Sequence, residues 1–194
     1  MYIVIGLGNP GKEYEKTAHN AGFLALDILT SDWKYDRYID AETGTLIIGS
    51  EEVLLTKPYT FMNLSGDVIT ALKKKNEIIP AHVIVTHDDI DLPLGTLRIS
   101  YDRGPGGHNG VKSISEALGT KEFIRIRIGV SRLIPARQDL AGGEEEKQIL
   151  AKPNVTGKLS ESDYSLLTPA LEKIPDIITT IITEGKEKAM TKYN

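Results

Sequence analysis

Two kinds of polar residue in this chain sit where chemistry could use them: ionisable groups at the end of an apolar run, and asparagines beside turns. The run Val83-Ile84-Val85-Thr86 leads straight into His87, Asp88, Asp89 and Asp91, and Pro93 then removes a backbone donor and closes the stretch. Carboxylates at the end of a buried strand fall where open α/β sheets bind their ligands. His19 stands at the mouth of an apolar helix, and Asn9, Asn63 and Asn109 each lie next to a turn or a helix start. The chain has no cysteine and no Gly-x-Ser-x-Gly elbow, which removes thiolate chemistry and one common serine arrangement. A hydrolase built from these groups would use water as nucleophile, and water needs a base. An imidazole held by a carboxylate, here His19 with Asp88, meets that need. Amide side chains do not titrate near neutrality, so the asparagines would bind a carbonyl or stabilise developing negative charge. His87, Asp88, Asp89 and Asp91 match no metal-ligand spacing, and no metal or other cofactor is expected.

These groups need a scaffold. Tyr2 to Leu7 reads as a first buried strand ending in Gly6-Leu7-Gly8-Asn9-Pro10-Gly11, a literal match to the dinucleotide fingerprint G-x-G-x-x-G. Pro10 deletes one of the donors that fingerprint needs, and no apolar helical stripe follows, so the better reading is a sharp turn presenting Asn9. A helix through Phe23 to Leu29 follows His19. Leu46 to Ser50 and Glu52 to Lys57 suggest a hairpin around Gly49-Ser50-Glu51, and Asp67 to Asn76 a helix. After the Val83 strand come a further strand, Thr96 to Tyr101, a glycine-rich turn at 104–110, and an amphipathic helix from Val111 to Leu118. Ile124 to Val130 alternates Ile and Arg, giving a strand with an apolar and a basic face. Uncapped apolar runs of this length suit strands covered on both sides. The expected fold is therefore α/β, a single domain over 1–194. A polar segment at 138–150 could form a mobile lid, and a last helix within Ser162 to Lys188 is broken near Pro169 and Pro175.

At 40% apolar and 26% charged residues the composition is that of an ordinary globular chain, and no apolar run approaches the length of a membrane span. The N-terminal residues carry no secretory pattern, so the expected location is the cytoplasm. The net charge of −4 hides an asymmetry: Arg98 to Arg137 holds eight basic residues against three acidic ones. A basic face on an acidic protein is what phosphate-backbone binding requires.

Five blocks occur in order: Gly-Leu-Gly-Asn-Pro-Gly (6–11), Thr-Ala-His-Asn-Ala-Gly (17–22), Lys-Pro-Tyr-Thr-Phe-Met-Asn-Leu-Ser-Gly (57–66), His-Asp-Asp-Ile-Asp-Leu-Pro (87–93) and Gly-Gly-His-Asn-Gly (106–110). Together they resemble the bacterial peptidyl-tRNA hydrolases, over residues 2 to about 131. The resemblance implies a twisted, mixed, mostly parallel sheet flanked by helices, and a monomer that needs no cofactor. It implies hydrolysis of the ester joining a peptide to the terminal ribose of tRNA, which recycles peptidyl-tRNA that has dropped off the ribosome. His19 would be the general base and Asp88 its support. Asn63 and Asn109 would bind the peptidyl part, Tyr14 and Phe61 would line the site, and Asn9 would help tell peptidyl-tRNA from aminoacyl-tRNA. Arg98, Arg103, Lys112, Arg125 and Arg127 become candidates for the tRNA backbone, with binding that weakens steeply in salt. The chain departs from the family pattern at Ala18, where members often carry Arg, and at Arg103-Gly104-Pro105. Two rivals are a non-catalytic RNA-binding relative on the same fold and a nucleotide-dependent enzyme using the Gly6–Gly11 turn.

Overall fold

A computed structural model describes residues 1–74, 77–135 and 148–194. Alternation along the strands decides its layering. In β1 (Tyr2–Gly6), Ile3 and Ile5 point to one face and Val4 to the other; in β5 (Val83–Pro93), Val83 and Val85 oppose Ile84. Each face therefore needs its own cover, and helices supply both. One face packs on α1 (Ala21–Asp27), α4 (Glu161–Leu171), α5 (Ile174–Glu184) and α6 (Lys186–Tyr193), through Leu26, Leu167, Ile174, Ile177, Ile178 and Ala189. The other packs on α2 (Asp67–Lys73) and α3 (Asn109–Leu118), through Val68, Ile69, Val111 and Ile114. Burying each such aliphatic side chain contributes about 1.5–3 kcal/mol.

The sheet is mixed. Its centre is the parallel series β4 (Glu51–Pro58), β1, β5 and β7 (Ile124–Pro135). Antiparallel strands extend it on both sides: β3 (Ala41–Ile48) and β2 (Lys34–Asp36) beyond β4, and β6 (Leu97–Tyr101) and β8 (Gln148–Ala151) against β7. The expected hairpin is β3–β4, closed by Gly49-Ser50 with Gly49 at φ 61, and β3 begins earlier than its apolar residues suggest. The C-terminal region differs from its sequence reading. Pro169 lies inside α4, whereas Pro175 occupies the first turn of α5, where its missing N–H is tolerated. Lys75 and Asn76 of the expected helix, and 138–147 of the expected lid, lie outside the described residues, while 148–150 of that lid belong to β8. Among the described residues, no helix is long and apolar enough to cross a membrane.

Candidate active site

Strand β5 does not stop at its apolar run. It continues through His87 and Asp88, pairing with β7 at Arg127 and Ile128, so the aspartates begin inside the sheet and not in a loop after it. Pairing on both sides explains the persistence: β1 accompanies β5 up to Thr86, whose carbonyl accepts the Leu7 N–H at 2.9 Å, and β7 carries it further. Asp88 is consequently 2% exposed.

His19 reaches Asp88 because two backbones touch. It sits in a short 3-10 turn, Ala18–Asn20, just before α1. A Cβ on Gly22 would lie 2.3 Å from the Thr86 carbonyl oxygen and 2.4 Å from the Leu7 nitrogen; one on Gly6 would lie 2.5 Å from the Gly22 oxygen. The first turn of α1 thus rests on the main chain at the ends of β1 and β5, a distance only glycines permit. A second brace comes from far down the chain: His19 N–H donates to the Val155 carbonyl at 2.8 Å, and Leu159 N–H to that of Lys16 at 2.8 Å. Nothing in the sequence around Val155 marked it for this, since the bond uses a carbonyl that every residue has.

The His19 ring Nδ1–H donates to Asp88 Oδ1 at 2.8 Å. The same oxygen receives a second bond, from His108 Nε2–H at 2.9 Å. His108 caps α3, and its Nδ1 accepts the Val111 N–H at 3.3 Å. Both of its nitrogens are therefore committed. Burial alone would raise the Asp88 carboxyl, but the bonds and charge of His108 and His19 outweigh it and hold the pKa well below the usual carboxylate range. With Nδ1 spent on Asp88, His19 keeps Nε2 as a free lone pair. His108 was absent from the sequence candidates, although it precedes a helix just as His19 does; that parallel was the available signal.

These groups form one wall of a cavity of about 640 Å³, within the size range of ligand sites. Its remaining lining includes Asn109, Val155, the 103–107 turn, Arg125 and Arg127. Gly106 and Gly107 have φ values of 60° and 82°, a bend that side chains resist, and nothing lies near their absent Cβ atoms. His87 is wholly buried: its Nδ1–H donates to the Asp88 carbonyl at 2.7 Å, and burial, with His108 and Arg125 nearby, pushes its pKa well below the ordinary value. It is a neutral wall. His19, Asp88 and His108 are the group among the described residues whose atoms could close on a cation. Doing so would require both rings to surrender the protons that now hold Asp88.

The other sequence candidates divide. Asn109, Arg103, Arg125 and Arg127 line this cavity, and Arg127 pairs with Asp89 at 2.6 Å. The basic face expected of β7 is not a solvated one: Arg125 is 4% exposed. Asn9 lines a separate groove with Lys57 and Tyr59; its side chain accepts the Met62 N–H at 2.9 Å, and Asn20 binds its main chain on both sides at 2.9 and 3.0 Å. Asn20 is a further residue the sequence reading passed over. Tyr14, Phe61 and Asn63 line neither space; Tyr14 is half-buried, and Phe61 and Asn63 are exposed around the 3-10 turn Met62–Leu64. Arg98 donates to the Asn194 carbonyl at 2.9 Å, and Lys112 lies exposed 3.9 Å from Glu116.

The family model described as peptidyl-tRNA hydrolase matches residues 3–194. A peptidyl-tRNA hydrolase of Clostridium tetani is 40% identical over 198 residues, covering 100% of this chain and 97% of the relative. One from Desulforamulus reducens is 38% identical over 197 residues, covering 100% and 89%. Among solved structures, that of a peptidyl-tRNA hydrolase from Acinetobacter baumannii matches with a TM-score of 0.83 at 28% identity, covering 100% of this chain and 94% of that one.

Proposed function

The chain belongs to the peptidyl-tRNA hydrolase family, and we propose that it cleaves the ester between a peptide and the terminal ribose of tRNA with His19 as general base. The observation that carries this reading is the 2.8 Å bond from His19 Nδ1 to buried Asp88, which leaves Nε2 as the free basic nitrogen in a cavity of about 640 Å³. Nε2 takes a proton from water as the water oxygen attacks the ester carbonyl. The resulting imidazolium is stabilised by Asp88, whose charge is already oriented by His108. Collapse of the tetrahedral intermediate expels the ribose oxygen, which recovers the proton from Nε2. The products are a free peptide carboxylate and a tRNA with its terminal hydroxyl restored.

Asn109, in the cavity wall beside His108, is assigned to donate to the carbonyl oxygen as its charge grows, which its place in the lining supports. Asn9, Tyr14, Phe61 and Asn63 are assigned to the peptidyl portion. Arg98, Arg103, Lys112, Arg125 and Arg127 are assigned to the tRNA backbone, supported by the excess of basic residues between Arg98 and Arg137. On this reading the protein acts as a cytoplasmic monomer, a single domain over 1–194, and the chemical step uses no cofactor.

The test is single-turnover release of peptide from an N-blocked aminoacyl-tRNA, with and without a chelator, for wild type and His19→Ala. Fast chelator-resistant turnover slowed by about a hundredfold or more in the variant supports the reading. Tight tRNA binding with no turnover by wild type makes the protein an RNA binder instead. Equal rates in both proteins place the base elsewhere.

A further inference from the structure

Arg125 lines the cavity and takes no part in the proton transfers of the reaction above. It is 4% exposed, and its side chain has no hydrogen bond or ion pair among the described residues. Its neighbours are otherwise engaged: Arg127 binds Asp89, Asp91 binds Lys152, and Asp88 binds His19 and His108. His87 offers no counter-charge, being neutral with Nδ1 committed. A guanidinium so shielded from water is costly unless paired, and Arg125 has no charged partner among the described residues. Arg125 also feels its isolation: burial first, then the charges of Arg127 and Arg103, pull its pKa down to about 10 against the opposing pull of Asp89.

Its position is set by the sheet. Arg125 lies on β7 beside Val85 of β5, one alternation before the Arg127–His87 pair, so it shares a face with His87. From His19 the wall runs to the His108 ring, 5.0 Å between centroids, then to His87, a further 4.7 Å, and on to Arg125. His19 and Arg125 line the same cavity.

We propose that Arg125 forms a phosphate subsite that takes the phosphodiester on the 5′ side of the esterified nucleotide, so that the site reads a nucleotide ester and not merely an ester. The chemistry is that of a guanidinium fork on phosphate oxygens, strengthened by burial. Arg103 at the rim adds a second positive charge; the exposed Asp102 beside it opposes binding and confines the favourable position to the Arg125 end. The proposal rests on the hydrolase reading for its choice of ligand, and its test separates the two.

Two substrates differing by one group decide it: the N-acetylaminoacyl 3′ ester of adenosine and the same ester of 5′-AMP, compared at fixed ionic strength. Wild type is expected to favour the phosphorylated ester in kcat/KM by about ten- to a hundredfold, and Arg125→Gln to bring that ratio close to one, with Arg125→Lys retaining part of it. Because the ratio is taken within one preparation, partial unfolding of a variant does not alter it. A wild-type ratio near one, or the same ratio in Arg125→Gln, overturns the subsite. Should wild type cleave neither ester nor peptidyl-tRNA, the hydrolase reading fails instead. The subsite is then judged by thermal stabilisation: 5′-AMP, and not adenosine, must raise the wild-type Tm and leave that of Arg125→Gln unchanged. No difference between the two ligands overturns it.

Discussion

Replacing Asp88 with asparagine changes a charge and almost nothing else. In the folded chain Asp88 Oδ1 accepts from His19 at 2.8 Å and from His108 at 2.9 Å, at 2% exposure. When His19 takes a proton from water, the new imidazolium and the carboxylate have charge centres about 4 Å apart, and at an effective dielectric of about 20 they attract by about 4 kcal/mol. The asparagine oxygen can still accept a neutral bond, worth about 1 kcal/mol net. About 3 kcal/mol of support for the transition state is then missing, which is about two decades in rate. If the amide turns its NH2 toward the rings, one ring N–H also loses its acceptor and the loss grows toward three decades. We therefore expect Asp88→Asn to lower kcat about a hundred- to a thousandfold in single-turnover release from N-blocked aminoacyl-tRNA, while KM stays within about threefold. Because the fold holds the Asp88 carboxyl below its usual range, its charge stabilises the folded chain, so the variant should unfold at a lower temperature than wild type, and turnover is compared where it remains folded. A well-folded variant that loses less than tenfold in kcat would refute the assignment of Asp88 as the group that sustains a charged His19.

Stability should respond to acid through His87. Its pKa is lowered in the folded chain, so the unfolded chain binds a proton that the folded chain refuses; stability is flat above about pH 6.5 and falls below it by up to about 1.4 kcal/mol per pH unit. His87→Asn, which keeps a donor for the Asp88 carbonyl, should flatten that limb in urea titrations between pH 6.5 and 5, and an unchanged limb would contradict the assignment. Gly22→Ala puts a methyl 2.3–2.5 Å from three backbone atoms, so it should cost about 3 kcal/mol and slow turnover by displacing His19; a cost below 1 kcal/mol in urea unfolding would mean the contact is soft. Asn20→Ala strands the buried N–H and carbonyl of Asn9, so about 2–4 kcal/mol should disappear from the same measurement, and a neutral result would show that water replaces both bonds.

The sequence announces what is local or repetitive. Ile3 to Ile5 and Val83 to Val85 read as strands because both faces are buried and the apolar run is unbroken. His19 and Asp88 were legible as a pair because few other groups could supply an imidazole and a carboxylate to hold it. The second histidine on Asp88 was not, because His108 sits in a glycine-rich turn whose bends drew the attention, and its reach to β5 depends on where α3 packs. The burial of Arg125 was not legible for a related reason: alternation sorts residues by face, but only the fold tells whether a face meets solvent or closes over a cavity. The edge strand β2, three exposed residues, carries no period to detect.

The brace between His19 and Val155 also imposes an order on the protein's birth. The turn holding the base is near the N-terminus, yet the carbonyl that fixes it belongs to a segment synthesised after the whole central sheet. A nascent chain stalled before about residue 155 would own His19, Asp88 and His108 and still lack the peg that seats the first. Such long-range closures come late, because the intervening chain must give up its freedom first. Catalytic competence should therefore appear abruptly once the segment around Val155, at the start of the last fifth of the chain, has left the ribosome, making hydrolysis itself a clock for completed folding.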